Sequence, residues 1–337
     1  MNRKNSILQA KHAIMGMIGP AGNPDMEWMI IVNPNAGVTK GAREWPRILR
    51  ILNREEMSFQ YRLTEHRDHA IHLARKSVED GYRNLAVVGG DGTLNEVLNG
   101  IFLQQACPVT DLTLGMIPIG TGNDWCRMFG IPFDVTGAVR LLKQKKVFIQ
   151  DVGKVVFHKK EETRERYFLN VAGMGYDALV AKKTNLSKER GRGGPLTYLY
   201  YVFASLFQYS FPDVEIEVDG RPEFRGELFS MNIGICRYNG GGMMQVPFAI
   251  PNDGLLDLTL IVRASKWIVI RHASKLYNGT LVNLPIVRTF RGKDIRIRSS
   301  GKIYLETDGE SLGNTPLTFT VLSETIRVVV GEDMKWG

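Results

Sequence analysis

Residues 85–96 constrain the fold of this chain more than any other segment. Four apolar residues, LAVV at 85–88, are followed directly by GGDGT at 89–93. Glycine has no Cβ, so this backbone can approach a phosphate closely. A helix that begins at Thr93 would aim free N–H groups at the same anion. The pattern predicts a β-strand, a phosphate-binding turn and a helix.

A glycine-rich turn of this type can also be an ordinary tight connection in an α/β protein. Asp91 favours the functional interpretation, because a carboxylate beside phosphate-binding amides is unfavourable unless a cation lies between them. Mg²⁺ prefers oxygen ligands and is the usual cation in that position. We therefore interpret the turn as a nucleotide site that uses Mg²⁺.

Two more apolar segments end in turn-forming residues. Residues 28–32 precede NPNAG at 33–37, and residues 112–117 lead through Pro118 into GTGND at 120–124. Because the carboxyl ends of parallel strands lie along one edge of a sheet, the turns predict a single ligand crevice there. The fingerprint GxxxxGK[ST] is absent, and no GxGxxG follows a strand.

Two carboxylates near the C-terminus are candidates for catalysis. The sequence TDGE at 307–310 places Asp308 and Glu310 two positions apart, so both can face one side of a strand-like turn. Phosphoryl transfer needs a base that takes the proton of the attacking hydroxyl, and either carboxylate suits that role. Asp-Gly is also a common hairpin turn, and the local sequence does not separate the two interpretations.

The pattern of apolar residues changes along the chain. Strands alternate with helical segments up to about residue 146, which predicts βαβ units, whereas residues 214–218 and 295–298 alternate with period two, as antiparallel strands do. We expect an α/β domain over residues 26–147 and a β-rich domain over residues 148–319. Residues 1–25 lack a strand pattern and are expected to be a disordered extension.

Five motifs occur in a fixed order along the chain: NPxxG at 33–37, GGDGTLNE at 89–96 with NG at 99–100, PxGTxND at 118–124, GGGM at 240–243 with DGLL at 253–256, and DGE at 308–310. In this order they resemble the diacylglycerol kinase catalytic-domain family of lipid kinases, which includes bacterial diacylglycerol kinases, sphingosine kinases and ceramide kinases. NAD kinases share the first motif. The resemblance implies a Rossmann-like nucleotide domain, then a β-sandwich domain that binds the lipid substrate, with residues 320–337 packing back on the first domain.

The resemblance also implies the site residues. Asp308 or Glu310 is the catalytic base, and Asp91, with Glu96 as a second candidate, acts through a catalytic Mg²⁺. Some relatives hold a structural Mg²⁺ at positions matching Asp253 and the carbonyls of Ile250 and Leu255, although a metal-free β-turn is nearly as good an interpretation there. The residues implied to bind ATP are Asn33, Asn35, Gly37, Thr64, Gly89, Gly90, Asp91, Gly92, Thr93, Glu96 and Thr121.

Charge and composition bear on partners and compartment. The formal net charge is +8, and a basic cluster, residues 182–192, precedes the aromatic-rich segment 196–211. Such a patch suits transient contact with an anionic membrane surface, although a solvated loop followed by a core helix is the simpler interpretation. No nucleic-acid motif is present, so nucleic acid is not expected as a partner. The oligomeric state stays open, with a homodimer as one alternative.

Three widely spaced cysteines imply neither a disulfide framework nor a zinc site, and no segment reaches the length of a membrane span. We therefore expect a cytoplasmic enzyme that associates peripherally with the membrane. The expected activity is transfer of phosphate from ATP to a lipid hydroxyl, with diacylglycerol as the leading acceptor. The alternatives are a kinase of the NAD kinase type with a soluble substrate, and a non-catalytic nucleotide-binding regulatory protein.

Overall fold

The computed structural model describes residues 27–189, 200–201, 204–206 and 209–334. The expected extension at residues 1–25 lies outside these residues, as does much of the segment 182–211. The first part of the chain alternates strands and helices: β1 (Trp28–Val32), α1 (Ala36–Arg54), β2 (Phe59–Leu63), α2 (His69–Glu79), β3 (Asn84–Gly89), α3 (Asp91–Leu103), β4 (Thr113–Pro118), α4 (Asp124–Met128) and α5 (Val135–Gln144).

The strands of this first part form a parallel arrangement in the order β4-β3-β1-β2. Every residue of β1, β3 and β4 is buried. Helices cover such a sheet on its faces, which explains why these strands are continuous apolar runs rather than alternating ones. Helix α1 contributes Trp45, Ile48 and Leu52 to the core from one side of the helix.

The second part is mostly antiparallel. Its elements are β5 (Val147–Lys159), β6 (Glu162–Phe168), β7 (Val171–Gly175), α6 (Tyr176–Glu189), β8 (Asp213–Val218), β9 (Arg221–Gly234), β10 (Tyr238–Asn239), β11 (Met243–Met244), β12 (Leu256–Val262), α7 (Lys266–His272), β13 (Val287–Gly292), β14 (Asp294–Ser299), β15 (Tyr304–Thr307) and β16 (Glu310–Val329). Short 3-10 turns lie at Val109–Asp111, Ala273–Leu276 and Thr280–Asn283.

The predicted period-two strands are confirmed in β8 and β14. Val214, Ile216 and Val218 of β8 are buried, while the residues between them point away from the core. In the register of β14 with β8, Arg296 lies opposite Glu217, and the two side chains form an ion pair of 3.5 Å. The α/β arrangement followed by a β-rich part confirms the predicted fold class.

Strand β16 joins the two parts into one sheet. Its beginning forms a hairpin with β15, its length pairs antiparallel with β5 and its middle pairs with β14. Near its end, Arg327 and Val328 pair in parallel with Thr113 and Leu114 of β4. The β15–β16 hairpin, which carries the candidate carboxylates, and the predicted phosphate loops are therefore held by the same continuous sheet.

Two helices begin earlier than the sequence predicts. Helix α1 starts at Ala36, so the expected turn at 33–37 already contains the first helical residues. Helix α3 starts at Asp91 instead of Thr93, because extended Gly90 is its N-cap and the Gly90 carbonyl accepts the Leu94 N–H at 3.1 Å. Both helices therefore begin directly at the predicted phosphate loops.

Candidate functional site

The loops after β1, β2, β3 and β4 meet at one edge of the sheet. The Asn33 N–H donates to the Val88 carbonyl at 2.9 Å, and the Thr64 N–H donates to the Val32 carbonyl at 2.9 Å. The Gly120 N–H donates to the Gly89 carbonyl at 3.0 Å. The structure thus brings together the loops that the sequence assigns to a single crevice.

Glycines let these loops lie in direct backbone contact. A Cβ added to Gly120 would lie 2.6 Å from the Cα of Gly90, which is closer than side chains tolerate. Gly37 has a φ of +60°, and a Cβ there would lie 2.5 Å from the Ile119 carbonyl oxygen. Only glycine fits both positions, and the result is a groove lined by backbone amides at the start of α3.

The polar residues predicted to bind nucleotide line this edge. Asn33 donates from Nδ2 to the Thr93 hydroxyl at 2.9 Å, and its Oδ1 accepts the Asn35 N–H at 2.9 Å. Thr64 and Thr93 are buried beside the loops, whereas Asn35 and Thr121 face solvent. Asn33 therefore ties the first loop to the first turn of α3, where phosphate binding is expected.

Asp91 and Asp124 place two carboxylates beside the glycine loop. Asp91 accepts the N–H groups of Asp124 and Trp125, both at 3.2 Å. Asp124 accepts the N–H groups of Gly241 and Gly242 at 2.7 and 2.6 Å. Burial and then the charge of Asp124 raise the pKa of Asp91 above its usual range.

This pair fits a divalent cation. A Cβ on Gly122 would lie 3.2 Å from an Asp91 oxygen and 3.3 Å from an Asp124 oxygen, so the two carboxylates flank one small space. Mg²⁺ is usually bound through one or two carboxylates, with waters and substrate phosphates completing its shell. Two repelling carboxylates beside a phosphate loop match that donor set.

Glu96, a predicted nucleotide-site residue, holds the start of α2. Its carboxylate oxygens accept the N–H groups of Asp68 at 3.1 Å and Ala70 at 3.2 Å, which are the otherwise unpaired donors at the start of α2. Burial raises the pKa of Glu96. These contacts make Glu96 a residue that positions α2 and the loop before it.

Asp308 is the most completely anchored carboxylate of the site. It lies in the turn between β15 and β16 with a φ of 48°, and only 4% of its surface is exposed. Its carboxylate accepts the Asn95 side-chain amide at 2.8 Å and the backbone N–H groups of Leu169, Asn170 and Val171, each at 3.1 Å. Burial raises the pKa of Asp308, and these donors oppose the rise.

Glu310 points to a different set of partners. Its carboxylate accepts the Arg67 guanidinium at 2.7 Å, and a Cβ on Gly92 would lie 2.8 Å from its Oε1. Glu310 thus sits over the first turn of α3, while Asp308 sits one helical turn further along, at Asn95. The two carboxylates flank the phosphate loop, and among the described residues they share no hydrogen-bond donor.

Several residues of the site were missed at the sequence level. Asn95 and Asp124 lie within the motifs at 89–96 and 118–124, so their position in these motifs could have identified them as site residues. Arg166 lies 71 residues from Asn95, donates to its Oδ1 at 2.7 Å and experiences the negative charges of Glu96, Asp308 and Glu310. No local pattern marks Arg166 or Arg67, because only the folded chain brings them to the carboxylates.

The second metal position is less favourable. The Asp253 carboxylate contacts the Arg291 guanidinium, which also lies 2.8 Å from Asp257. Asp253 Oδ1 accepts the Leu255 N–H at 3.1 Å, as in the turn that is the alternative interpretation. Since a guanidinium already neutralises Asp253, the arrangement of Asp253, Ile250 and Leu255 does not favour a metal ion, and no chemical step depends on one.

Comparisons with known proteins agree with the geometry. Residues 27–155 match the family model for the diacylglycerol kinase catalytic domain, and residues 170–330 match the YegS C-terminal NAD kinase beta sandwich-like domain. The diacylglycerol kinase of Staphylococcus carnosus is 31% identical over 307 residues, covering 91% of this chain and 95% of that protein. A diacylglycerol kinase of Staphylococcus aureus is 33% identical over 306 residues, covering 90% and 92%.

Solved structures show the same fold. A crystal structure of a diacylglycerol kinase from Bacillus anthracis superposes with a TM-score of 0.69 at 22% identity, covering 92% of this chain and 98% of that one. Yeast NADH kinase complexed with NADH superposes with a TM-score of 0.51 at 13% identity, covering 93% and 88%. By its sequence relatives and its two matching domains, the chain is a kinase that belongs to the diacylglycerol kinase catalytic-domain family.

Proposed function

We propose that this kinase transfers the γ-phosphate of ATP to the hydroxyl of a lipid, with diacylglycerol as the first acceptor to test. The observation that carries the proposal is the position of Asp308. A buried carboxylate is held by four N–H donors within one helical turn of the glycine loop at the start of α3. A hydroxyl that meets a phosphate bound at that loop therefore has a carboxylate beside it.

Asp308 is the better candidate for the base. Burial raises its pKa, which makes it a stronger proton acceptor than an ordinary aspartate. Glu310 is instead held in an ion pair with Arg67 at 2.7 Å, so its carboxylate is already engaged by a guanidinium. We assign proton removal to Asp308. Glu310 is assigned to orienting Arg67 towards the transferred phosphate.

The remaining residues bind and orient. Backbone amides at the start of α3 and the Thr93 hydroxyl, held by Asn33, face the phosphates of the nucleotide. Arg67 and Arg166 supply positive charge near the acidic residues where the phosphoryl group moves. Asp91 and Asp124 would hold a Mg²⁺ ion, which neutralises phosphate charge when it is bound.

The test is transfer of labelled γ-phosphate from ATP to diacylglycerol, ceramide, sphingosine and NAD in mixed micelles. We expect label on a glycerolipid, and a fall in kcat of roughly 100- to 10,000-fold for Asp308→Asn. Glu310→Gln should retain more activity than Asp308→Asn. ATP affinity should stay within a few-fold of the wild-type value in both variants, which separates loss of the base from loss of the nucleotide site.

The alternative functions give different outcomes. Label on NAD alone would overturn the lipid assignment, and ATP binding without transfer to any acceptor would indicate a regulatory protein. Because the amide introduced by Asp308→Asn would face three backbone N–H groups with a single acceptor oxygen, the melting temperature of this variant must be measured alongside. If a folded Asp308→Asn enzyme turned over at the wild-type rate, Asp308 would not be the base.

We further propose that the enzyme works at the cytoplasmic membrane surface without crossing it. Within the described residues, no helix combines the length and the apolar composition that crossing a bilayer requires. Three exposed aromatic side chains support surface contact: Trp267 is 75% exposed, Tyr277 60% and Phe248 53%. Residues 263–286 contain basic residues and no acidic one, which suits anionic lipid headgroups.

A further inference from the structure

The buried side of the β15–β16 hairpin holds a carboxyl group that the proposed reaction does not use. Glu306 lies on β15, two residues before Asp308, and only 2% of its surface is exposed. Its Oε2 accepts the Gly309 N–H at 2.9 Å, and its Oε1 accepts the Asn239 side-chain amide at 2.8 Å. Among the described residues these are its donors, which is little support for a buried negative charge, since Asp308 has four donors.

An acceptor oxygen lies beside the same carboxyl group. A Cβ added to Gly173 of β7 would lie 2.6 Å from Glu306 Oε1 and 3.2 Å from Asn232 Oδ1, so the two oxygens border one small space. In the described part of the chain, no donor reaches this buried Asn232 oxygen. The amide cannot be turned round without loss, because its Nδ2 donates to the Asp177 carboxylate at 2.9 Å. A proton on Glu306 would supply the donor that Asn232 Oδ1 lacks.

The surroundings of Glu306 oppose its ionisation. Burial is the largest cause that raises its pKa, to about 8, and the negative charges of Asp308 and Asp177 add to this rise. Asp308 belongs to the same hairpin, and Asp177 stands in the first turn of α6. Strands β7 and β10 and residues 230–234 of β9 carry no charged side chain, and Glu310 of β16 is ion-paired at 2.7 Å with a guanidinium. Protonation of Glu306 therefore removes one negative charge from this cluster.

Glu306 also connects two parts of the proposed site. Gly309, whose N–H it accepts, follows Asp308 in the hairpin turn, where both residues have positive φ. Asn239 leads into the two glycines whose N–H groups donate to Asp124. The Glu306 side chain is thus bonded both to the turn of the candidate base and to the segment that holds a candidate Mg²⁺ ligand. A shift of this side chain would alter the position of Asp308 relative to Asp124.

We propose that Glu306 is a positioning residue, whose carboxyl proton is donated to Asn232 Oδ1 and whose side chain thereby holds the Asp308 turn against the segment of Asn239. The kinetic part of this inference rests on the proposed lipid kinase activity. When Glu306 loses its proton, two oxygens repel each other across the space at Gly173, and a negative charge is added near Asp308. The turn then moves, and phosphoryl transfer falls as the pH rises through the value at which Glu306 ionises.

The first test is the pH dependence of kcat in the labelled-phosphate assay, with saturating ATP and lipid. For the wild-type enzyme we expect a decline above about pH 8, by roughly tenfold per pH unit. Glu306→Gln cannot ionise, and its amide can donate to Asn232 but not also accept from Asn239. Its kcat at neutral pH should therefore be several-fold lower, and its alkaline decline should be absent.

The control for this profile is Glu223→Gln, which removes an exposed glutamate and should keep the wild-type pH dependence. An alkaline decline in Glu306→Gln that equals the wild-type decline would overturn the positioning role.

Infrared difference spectroscopy tests the proton itself, without an acceptor lipid. Titration of the wild-type protein should remove a carboxylic acid C=O band with a midpoint at about pH 8, and this band should be absent from Glu306→Gln. Asn232→Ala removes the proposed acceptor of the proton and should lower the midpoint by roughly one pH unit. Ser230→Ala is the matched control, because it removes another donor to Asp177, at 2.5 Å, and leaves Asn232 in place. Equal shifts in these two variants, or no shift, would overturn the bond to Asn232.

The two measurements separate this inference from the proposed function. If the infrared band and its dependence on Asn232 are found but no lipid accepts phosphate, the proton bond between Glu306 and Asn232 stands and the lipid kinase assignment fails. If a lipid is phosphorylated with a pH profile that Glu306→Gln does not change, the lipid kinase assignment stands and the positioning role is wrong.

Discussion

At the scale of single residues, the site contains buried carboxyl groups whose ionisation is opposed by burial. Glu306 is the clearest case: it is fully buried, and burial raises its pKa to about 8. Its oxygens accept the Asn239 side-chain amide at 2.8 Å and the Gly309 N–H at 2.9 Å. Glu306 thus connects the turn at Asp308 to Asn239, which lies two residues before Gly241, the first of the two glycines that donate to Asp124.

The protonation of Glu306 predicts how stability depends on pH. In the unfolded chain its pKa is near 4.5, so between about 4.5 and 8 the native state holds one more proton than the unfolded state. The free energy of unfolding therefore falls as the pH rises through this range. The side chain in Glu306→Gln cannot ionise. The fall in the free energy of unfolding over this pH range should therefore be smaller in this variant than in the wild-type protein, by on the order of 3–5 kcal/mol.

Urea denaturation measures the free energy of unfolding of both proteins at several pH values between about 5 and 8.5, where the linkage relation predicts the difference. The control is Glu223→Gln, which removes an exposed glutamate and should keep the slope of the wild-type protein. If Glu306→Gln loses stability with pH as steeply as the wild-type protein does, Glu306 is ionised in the folded state.

At the scale of elements, the proposed nucleotide site depends on two loops that touch through their backbones. The loop at the start of α3 and the loop before α4 approach each other at Gly90 and Gly120. Each loop leads into a helix, and the first N–H groups of α4 donate to the Asp91 carboxylate. Their separation is therefore set by glycine and by the sheet pairing of β3 with β4.

Gly120→Ala tests this contact. Its Cβ would lie 2.6 Å from the Cα of Gly90, so the loops must move apart, at a cost of about 1–3 kcal/mol. We expect a roughly tenfold rise in KM for ATP, measured in the transfer assay with saturating lipid. Gly301→Ala is the control, because nothing lies within 4 Å of its added Cβ. An unchanged KM for ATP in Gly120→Ala would show that the loop spacing is not critical.

At the scale of the whole molecule, β16 couples the hairpin that carries Asp308 to the α/β part of the chain. It begins at Glu310 beside Arg67 and ends in parallel pairing with β4, the strand that leads into the loop at Gly120. Buried Phe319 near its middle packs edge-on against Phe168. A single sheet with a shared core favours a fixed position of Asp308 relative to the proposed nucleotide site.

The proposed membrane contact also belongs to the scale of the whole surface. If the region of Trp267 and Tyr277 enters the interface, Trp267→Ala loses apolar burial worth about 1.5–3 kcal/mol and should lower the partition coefficient roughly tenfold or more. Sedimentation with liposomes that contain phosphatidylglycerol measures it. Leu103→Ala is the control, since Leu103 is 54% exposed but lies on α3. Equal partitioning of both variants would place the membrane contact elsewhere.

The sequence by itself determined the α/β part, the phosphate loops and the candidate carboxylates. It could do so because glycine spacing and apolar runs act locally: residues 89–93 encode close backbone approach wherever the strand before them lies. The sequence did not predict the early starts of α1 and α3, because the first residue of a helix depends on capping contacts with neighbouring loops.

Only the tertiary structure decided how the carboxylates are used. Asn95 and Asp308 are 213 residues apart in the sequence. Their hydrogen bond exists because β16 sets the position of the β15–β16 hairpin relative to β5 and β4. The same long-range pairing brings Arg67 to Glu310. Asp308 and Glu310, which look like a pair in the sequence, therefore have different hydrogen-bond partners in the structure. Sheet register and burial act across the whole chain, so no local pattern carries that information.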